Sequence, residues 1–311
     1  MYIINTLAPV FLVIAVGVGL RKAVFFSSEF VSSLNRLVYW VGLPCLLFYK
    51  TAGATYDYAA AGNTFLVVLA GTVGCIAAGY IAAFLMRLRG MNAGALVQGT
   101  FRGNLVYVGL SVIIYSFSNS SGFDAAKMET IAVVVLALMI PIYNISAVVI
   151  LLAGQHRLDR YVPGKILGQI ITNPLILACV SGIIYSAIFS QLPMAVDRFC
   201  SAIGQMSLPL ALLSIGATLA EGKISSRLIP ALTASVIKLA VAPLVGLLVA
   251  SLLSLGAGEM RIALILLACP TAVASYVMAD QFGTAGRLAA TIVVLTTILS
   301  MLSLGIVVGL F

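Results

Sequence analysis

The chain has 311 residues, 62 % of them apolar and 8 % charged, with 17 Lys and Arg against 9 Asp and Glu for a net charge of +8. Soluble domains carry about 25 % charged residues, so this composition excludes a water-soluble body, a disordered chain and a coiled coil. The basic residues cluster between apolar runs without interleaved aromatics, which argues against a nucleic-acid partner and for membrane topology.

A transmembrane helix needs about 20 mostly apolar residues. In chain order the candidates are 4–21, 34–52, 60–86, 94–115, 128–153, 166–189, 199–220, 228–254, 261–283 and 286–311. The fold class read from this is an all-α polytopic membrane protein with ten transmembrane helices. No basic residues precede the first span, and Arg21 and Lys22 follow it. It is therefore read as a retained helix with its N-terminus outside, not as a cleavable signal. In that orientation the cytoplasmic turns hold Arg21, Lys22, Arg87, Arg89, Arg157, Arg160, Lys165, Lys223, Arg227 and Arg287. The opposite side holds Lys50, Lys127, Arg198 and Arg261. The bias places both termini outside and the protein in the cytoplasmic (inner) membrane.

At a spacing of 165 residues, Pro9 falls on Pro174, Gly17 on Gly182, Leu43 on Leu208, Pro44 on Pro209 and Phe117 on Phe282. This suggests two five-helix repeats, 1–155 and 166–311, around a cytoplasmic connector at 156–165. An odd number of spans inverts one repeat against the other, an arrangement common in secondary transporters.

Two spans are unlike the rest. Span four, GALVQGTFRGNLVYVGLSVIIYSF, places Gln98, Arg102 and Asn104 among glycines, including Gly99, Gly103 and Gly109. Glycine eases unwinding, and the Asn104 amide can donate and accept where a backbone ladder is interrupted. Its counterpart, span nine, carries Pro270, which lacks the N–H that a helix needs, followed by the hydroxyls of Thr271 and Ser275. If both spans break, two half-helices begin near the membrane centre with their positive ends facing an anion. The alternative is a proline kink and an amide satisfied by neighbouring helices.

Intramembrane charges are functional hypotheses by default. Arg102 either supports an anion or snorkels to the cytoplasm. Lys238 and Asp280 are read as coupling or electrostatic support, through an ion pair of Asp280 with Lys238 or Arg102 or through proton transfer. Arg36 is expected to snorkel at the cytoplasmic end of span two. Trp40 and the tyrosines near span ends are read as interfacial anchors. Asp280 is the one candidate for a buried protonatable acid. The single histidine, His156, lies in a loop, the five cysteines form no CxxC, and HExxH, Walker A and GxSxG motifs are absent. No metal, no cofactor and no enzymatic activity are expected.

The ordered set of short motifs resembles the auxin efflux carrier family, whose plant members are the PIN-formed auxin transporters, within the bile/arsenite/riboflavin transporter superfamily. The matching stretches run from Gly103 to Leu110, from Cys269 to Ala272 and from Tyr276 to Ala279. Leu43-Pro44, Asn173-Pro174, and Lys238-Leu239 with Pro243 complete the set. The resemblance implies a scaffold of spans one, two, six and seven, a transport unit in which spans four and nine cross, and organic-anion substrates. It matches Asn104 to the family's crossover asparagine and Pro270 to the first proline of its span-nine motif. A scaffold-mediated homodimer is implied in the same way. Ser111 and Ser275 stand where family patterns often carry proline, and the large hydrophilic loop of the plant proteins is missing.

Together these features lead us to expect a secondary carrier moving a small organic anion, such as an auxin-like acid or a dicarboxylate, through the lipid bilayer by alternating access. Gln98, Gly103, Asn104, Val106, Gly109, Ser111, Pro270, Thr271 and Ser275 are the candidate substrate-binding residues. Leu47–Thr51 and Leu212–Gly216 would form the opposite wall. A sodium-coupled bile-acid-type symporter is the competing reading, and a non-transporting receptor or a channel is the alternative of another class.

Overall fold

The computed structural model describes residues 2–53, 57–118, 120, 122–154, 172–189, 191–221, 228–281 and 285–311, with the backbone alone at 58, 221, 280 and 281. The connector at 156–165, the basic residues Arg157, Arg160, Lys165, Lys223 and Arg227, Phe282 and the side chain of Asp280 fall outside the described parts. Helix α1 is Tyr2–Lys22, α2 is Ser28–Leu37 and α3 is Leu43–Ala52, the latter two joined by a π turn at Val38–Gly42. Next come α4 Tyr58–Leu85, α5 Met91–Phe101, a second π turn at Leu105–Gly109 and α6 Leu110–Ser118. Then follow α7 Ala125–Gly154, α8 Pro174–Ile188 and α9 Met194–Glu221. Helix α10, Leu228–Val236, leads through a third π turn at Ile237–Val241 into α11, Ala242–Leu252. Helices α12 Ala257–Ala268, α13 Val273–Gln281 and α14 Gly286–Gly309 complete the set. Among the described residues, seven helical stretches are long and apolar enough to cross a membrane. The protein is an all-helical, polytopic integral membrane protein.

Local chemistry explains the boundaries. The Ser27 hydroxyl accepts the N–H of Phe30 at 3.0 Å, and the Asp57 carboxylate accepts that of Ala60 at 3.1 Å. The Asn173 amide accepts the N–H of Leu175 at 3.0 Å, with Pro174 occupying the first turn of α8, where no N–H is required. Two of the π turns directly precede prolines, Pro44 and Pro243. The prolines' missing donors disturb the ordinary ladder, which re-forms as i→i−5 bonds from Leu43 to Val38 and from Ala242 to Ile237.

Packing sorts the helices into two groups. Helices α1, α2, α3, α8 and α9 pack chiefly on one another, and α4, α5, α7 and α10–α14 form the second group. Small residues set the closeness of the first. A Cβ on Gly17 would stand 2.2 Å from the Leu213 carbonyl oxygen, and one on Gly182 would meet the Thr51 hydroxyl and, at 3.0 Å, the Phe48 carbonyl. Helices that associate in lipid approach through such positions, because van der Waals contact replaces the missing hydrophobic drive.

At the end of the bundle where α1 begins, polar ties join the two groups. The Arg261 guanidinium, 1 % exposed, donates to the Tyr2 hydroxyl (2.9 Å), Ser120 Oγ (2.9 Å) and the Phe311 carbonyl (2.9 Å). The rings of Tyr2, Phe117, Phe123 and Phe311 surround it. Nearby, Lys50 of α3 forms an ion pair with the buried Glu129 of α7, and Lys127 pairs with Asp57 at 3.0 Å. The Ala60 N–H and then Lys127 hold the Asp57 carboxyl below the usual carboxylate range. Two sequence readings are thereby corrected. Arg261 is a core residue and not a loop charge, and Glu129 is a buried carboxylate that the sequence reading passed over. Aromatic rings from four separate segments enclose Arg261, an environment that hydropathy along the chain does not register.

Gly17→Ala is expected to lower the melting temperature of the detergent-solubilised protein by the equivalent of about 1–3 kcal/mol of overpacking. Gly19→Ala, with nothing within 4 Å of its added methyl, leaves the melting temperature unchanged or slightly raised. A thermal-shift comparison of the two checks the close contact of α1 with α9.

Candidate functional site

Helix α5 stops at Phe101, and the chain makes a tight turn at Arg102, closed by the Gly103 N–H donating to the Phe101 carbonyl at 2.8 Å, before Asn104 leads into the second π turn. Helix α12 likewise stops at Ala268, and α13 resumes at Val273. The two interruptions lie against each other as an antiparallel bridge centred on Gly103 and Thr271. The Asn104 N–H donates to the Pro270 carbonyl at 2.7 Å, and the Ala272 N–H donates to the Arg102 carbonyl at 2.8 Å. Each break also releases a carbonyl four residues upstream of the bridge. That of Gly99 accepts the Thr271 hydroxyl at 2.7 Å, and that of Leu267 accepts the Lys238 ammonium at 2.7 Å. The Thr271 N–H is taken up by Thr296 Oγ1 at 3.1 Å. Non-helical backbone at membrane depth is tolerable when its polar groups are satisfied in this way.

The side chain of Asn104 caps the following turn by accepting the Tyr107 N–H at 3.3 Å. Among the described residues, no acceptor is paired with the N–H groups of Leu105, Val106, Val273 and Ala274, the first donors of the two resuming helices. Leu105 is buried, Val106, Tyr107, Ala272 and Val273 are half-buried, and Ala274 is exposed, so part of the crossover's surface is accessible.

The residues singled out from the sequence divide by role. Gly103, Asn104, Pro270 and Thr271 form the crossover itself. The Ser111 hydroxyl is turned back onto the Tyr107 carbonyl at 2.6 Å, within its own helix. Gly109 packs so closely on Leu266 and Cys269 that a Cβ would stand 2.9 Å from Leu266. Gln98 and Ser275 are buried beside the crossover, and Gln98 Oε1 and Ser275 Oγ have no hydrogen-bond partner among the described residues. Val106 is half-buried.

Arg102 does not snorkel. It is 7 % exposed, and its guanidinium is held by the Asn144 amide oxygen (2.8 Å) and the Ala274 carbonyl (3.3 Å), against the Met278 sulfur. Lys238 is fully buried beside Gly103. Both cations are thus met by neutral oxygens, and the carboxylate of Asp280, their expected partner, lies outside the described side chains. Tyr39, from the π turn of the first helix group, lies within electrostatic reach of Arg102 and Tyr107. The sequence reading, which left Tyr39 among the interfacial tyrosines, missed this. It also missed Asn144, whose pairing with Arg102 brings together residues 42 positions apart.

A family model described as "Membrane transport protein" matches residues 2–308. The chain belongs to this family. It is the auxin efflux carrier family that the crossover motifs resemble. A relative from Rhizobium meliloti (strain 1021), named "Putative malonate transporter", is 25 % identical over 300 residues, covering 94 % of this chain and 90 % of its own. The chain is therefore similar along nearly its whole length to a protein named as a malonate transporter.

Thr271→Val keeps the side-chain shape and leaves the Gly99 carbonyl unpaired. It is expected to destabilise the protein by about 1–3 kcal/mol. Ser111→Ala removes a bond internal to one turn and should change stability by no more than about 0.5 kcal/mol. Thermal denaturation of the two variants in detergent tests whether the crossover depends on the threonine tie.

Proposed function

We propose that this membrane transport protein is a secondary carrier for a small organic anion, with a dicarboxylate of malonate size as the first candidate, and that it works by alternating access. The observation that carries the reading is the crossover, where two helices resume side by side with unpaired N–H groups at a partly accessible surface. Helix starts of this kind favour negative charge, and a carboxylate fits them without a metal or cofactor. Arg102 places a further positive charge behind the bridge, where the Lys238 amine donates to the Leu267 carbonyl. The name of the Rhizobium relative fits the same chemistry.

Paired contacts support an inverted-repeat architecture of ten spans. The close approach of Gly17 to Leu213 and that of Gly182 to Phe48 exchange under the 165-residue spacing. The two crossover hydrogen bonds exchange under a spacing of 168. A two-fold relation between repeats running in opposite directions produces such reciprocal pairs. In this reading α1–α3, α8 and α9 are the scaffold, the second helix group moves with the substrate, and the Lys22 end of α1 faces the cytoplasm, as the loop charges favour.

Sodium coupling is the second reading. A sodium ion beside the crossover would face the Arg102 guanidinium, a like-charge arrangement that costs energy at low dielectric. We therefore rank sodium-independent transport first.

The test is flux in proteoliposomes with a panel of mono- and dicarboxylates, with sodium and without it. The expected outcome is saturable, sodium-independent uptake of one acid, reduced at least about tenfold by Asn104→Ala, which removes the cap that orients the second half-helix. Unimpaired flux by that variant would move the site elsewhere, and silence across the panel would remove the organic-anion reading.

A further inference from the structure

The two helix groups meet unevenly along the bundle. On the Tyr2 side of the bridge, the half-helix α6 packs on α1, and the Ser116 carbonyl accepts the Tyr2 hydroxyl at 2.8 Å. The half-helix α12 reaches the same hydroxyl through Arg261, at 2.9 Å. Helix α14 joins them, since a Cβ on its Gly309 would stand 3.0 Å from Ile3 of α1. On the Lys22 side, the half-helices α5 and α13 pack chiefly on helices of their own group. The contacts between the groups are thus gathered at the Tyr2 end, and one of them is ionic. Lys50, in the last turn of α3, pairs with Glu129, in the second turn of α7. The Glu129 side chain is 9 % exposed and that of Lys50 28 %.

Among the described residues, no other cation is paired with Glu129. Lys127, two positions earlier on α7, is engaged by Asp57 of α4 at 3.0 Å, and Arg261 by Tyr2, Ser120 and Phe311. A buried carboxylate is tolerable only while a cation or hydrogen-bond donors stay with it. Glu129 belongs to the second helix group and its cation to the first, so the groups cannot part at this end while the carboxylate stays dry. Water entering as they part can hydrate both ions, Lys50 from the rim where it is already partly exposed. We propose that the Lys50–Glu129 pair is an ionic latch that holds the Tyr2 end closed, and that its separation opens the crossover to that side. The inference rests on the alternating-access reading for the motion and on the ion pair for the place where that motion is controlled.

A thiol-labelling experiment tests it without relying on flux. Val133 is fully buried and lies one turn deeper than Glu129 on the same face of α7, so a thiol there reports opening of the seam. Val133→Cys is made in the full-length protein, with the unmodified protein giving the background from its native cysteines. Vesicles of each orientation are treated with a membrane-impermeant maleimide. The expected result is slow labelling from the Tyr2 side, accelerated at least about tenfold by Glu129→Gln, an increase open to a minor state populated at about 0.1–10 %. Lys50→Glu, which sets two carboxylates against each other, accelerates it further, and Lys50→Glu combined with Glu129→Lys restores the slow rate. Thermal denaturation of each variant distinguishes opening from unfolding. Glu129→Asp, which keeps the charge but withdraws it by one methylene, gives the same direction of change should the amide variant not fold. Labelling that stays slow in these folded single variants overturns the latch. So does a folded charge-swapped variant that labels as fast as the single ones, because lost packing then accounts for both. Fast labelling of Glu129→Gln, restored to slow by the swap, in a protein that carries none of the tested acids upholds the latch and overturns the substrate reading.

Discussion

Two backbone hydrogen bonds, from Asn104 to Pro270 and from Ala272 to Arg102, make the rest of this architecture possible. Breaking one helix inside a bilayer strands donors and acceptors where no water can satisfy them. Breaking two helices at the same depth, side by side and antiparallel, lets each supply what the other has lost. The remaining loose ends are met by side chains. The Gly99 carbonyl receives the Thr271 hydroxyl, and the Leu267 carbonyl, in the equivalent position of the other break, receives the Lys238 ammonium. Among the described residues, the partner of this lysine in the middle of a membrane protein is a backbone carbonyl, so that it completes a hydrogen-bond ladder beside the crossover.

The same economy governs the distribution of charge elsewhere. Arg102 is anchored by an amide and a carbonyl, and Arg261 by hydroxyls, a carbonyl and aromatic faces. Among the described residues, neither environment supplies a carboxylate. Near the crossover this favours an anion as ligand. At the Tyr2 end, the Arg261 cluster and the Lys50–Glu129 pair join helix groups that otherwise pack largely within themselves. Under the alternating access proposed for this protein, such contacts would have to be few and breakable. Polar ties meet that need better than an interdigitated apolar seam, because water can replace their partners as they part.

Much of this was legible in the sequence. The low charge content compelled a membrane protein. The glycines around Asn104 and the proline at 270 marked the two helices that break, because these residues weaken the helical ladder locally whatever surrounds them. The expectation that Trp40 and the span-end tyrosines share one interfacial role failed for Tyr39. A single residue of rotation within the π turn at Val38–Gly42 separates an exposed ring, Trp40, from a half-buried one. Asp280 drew attention as the sole buried acid because Glu129 sits at the head of α7, where a hydropathy window cannot distinguish a solvated end from one buried under Lys50.

The sequence by itself therefore determined the solvent, the helical class, the positions of the breaks and the chemical character of the crossover, since each follows from composition or from the backbone chemistry of glycine, proline and asparagine. Only the tertiary structure decided which polar groups are spent on architecture and which remain open. Ser111 and Thr271 look alike as membrane hydroxyls, yet one closes a turn of its own helix and the other joins two broken helices. Arg102, Lys238 and Arg261 are all basic residues in apolar stretches, yet their partners come from Asn144, Leu267, and Tyr2 and Phe311. Those partners lie 29 to 259 residues away along the chain. Hydrogen bonding is short-ranged and directional, so its assignment depends on where distant segments meet, and no local pattern encodes that.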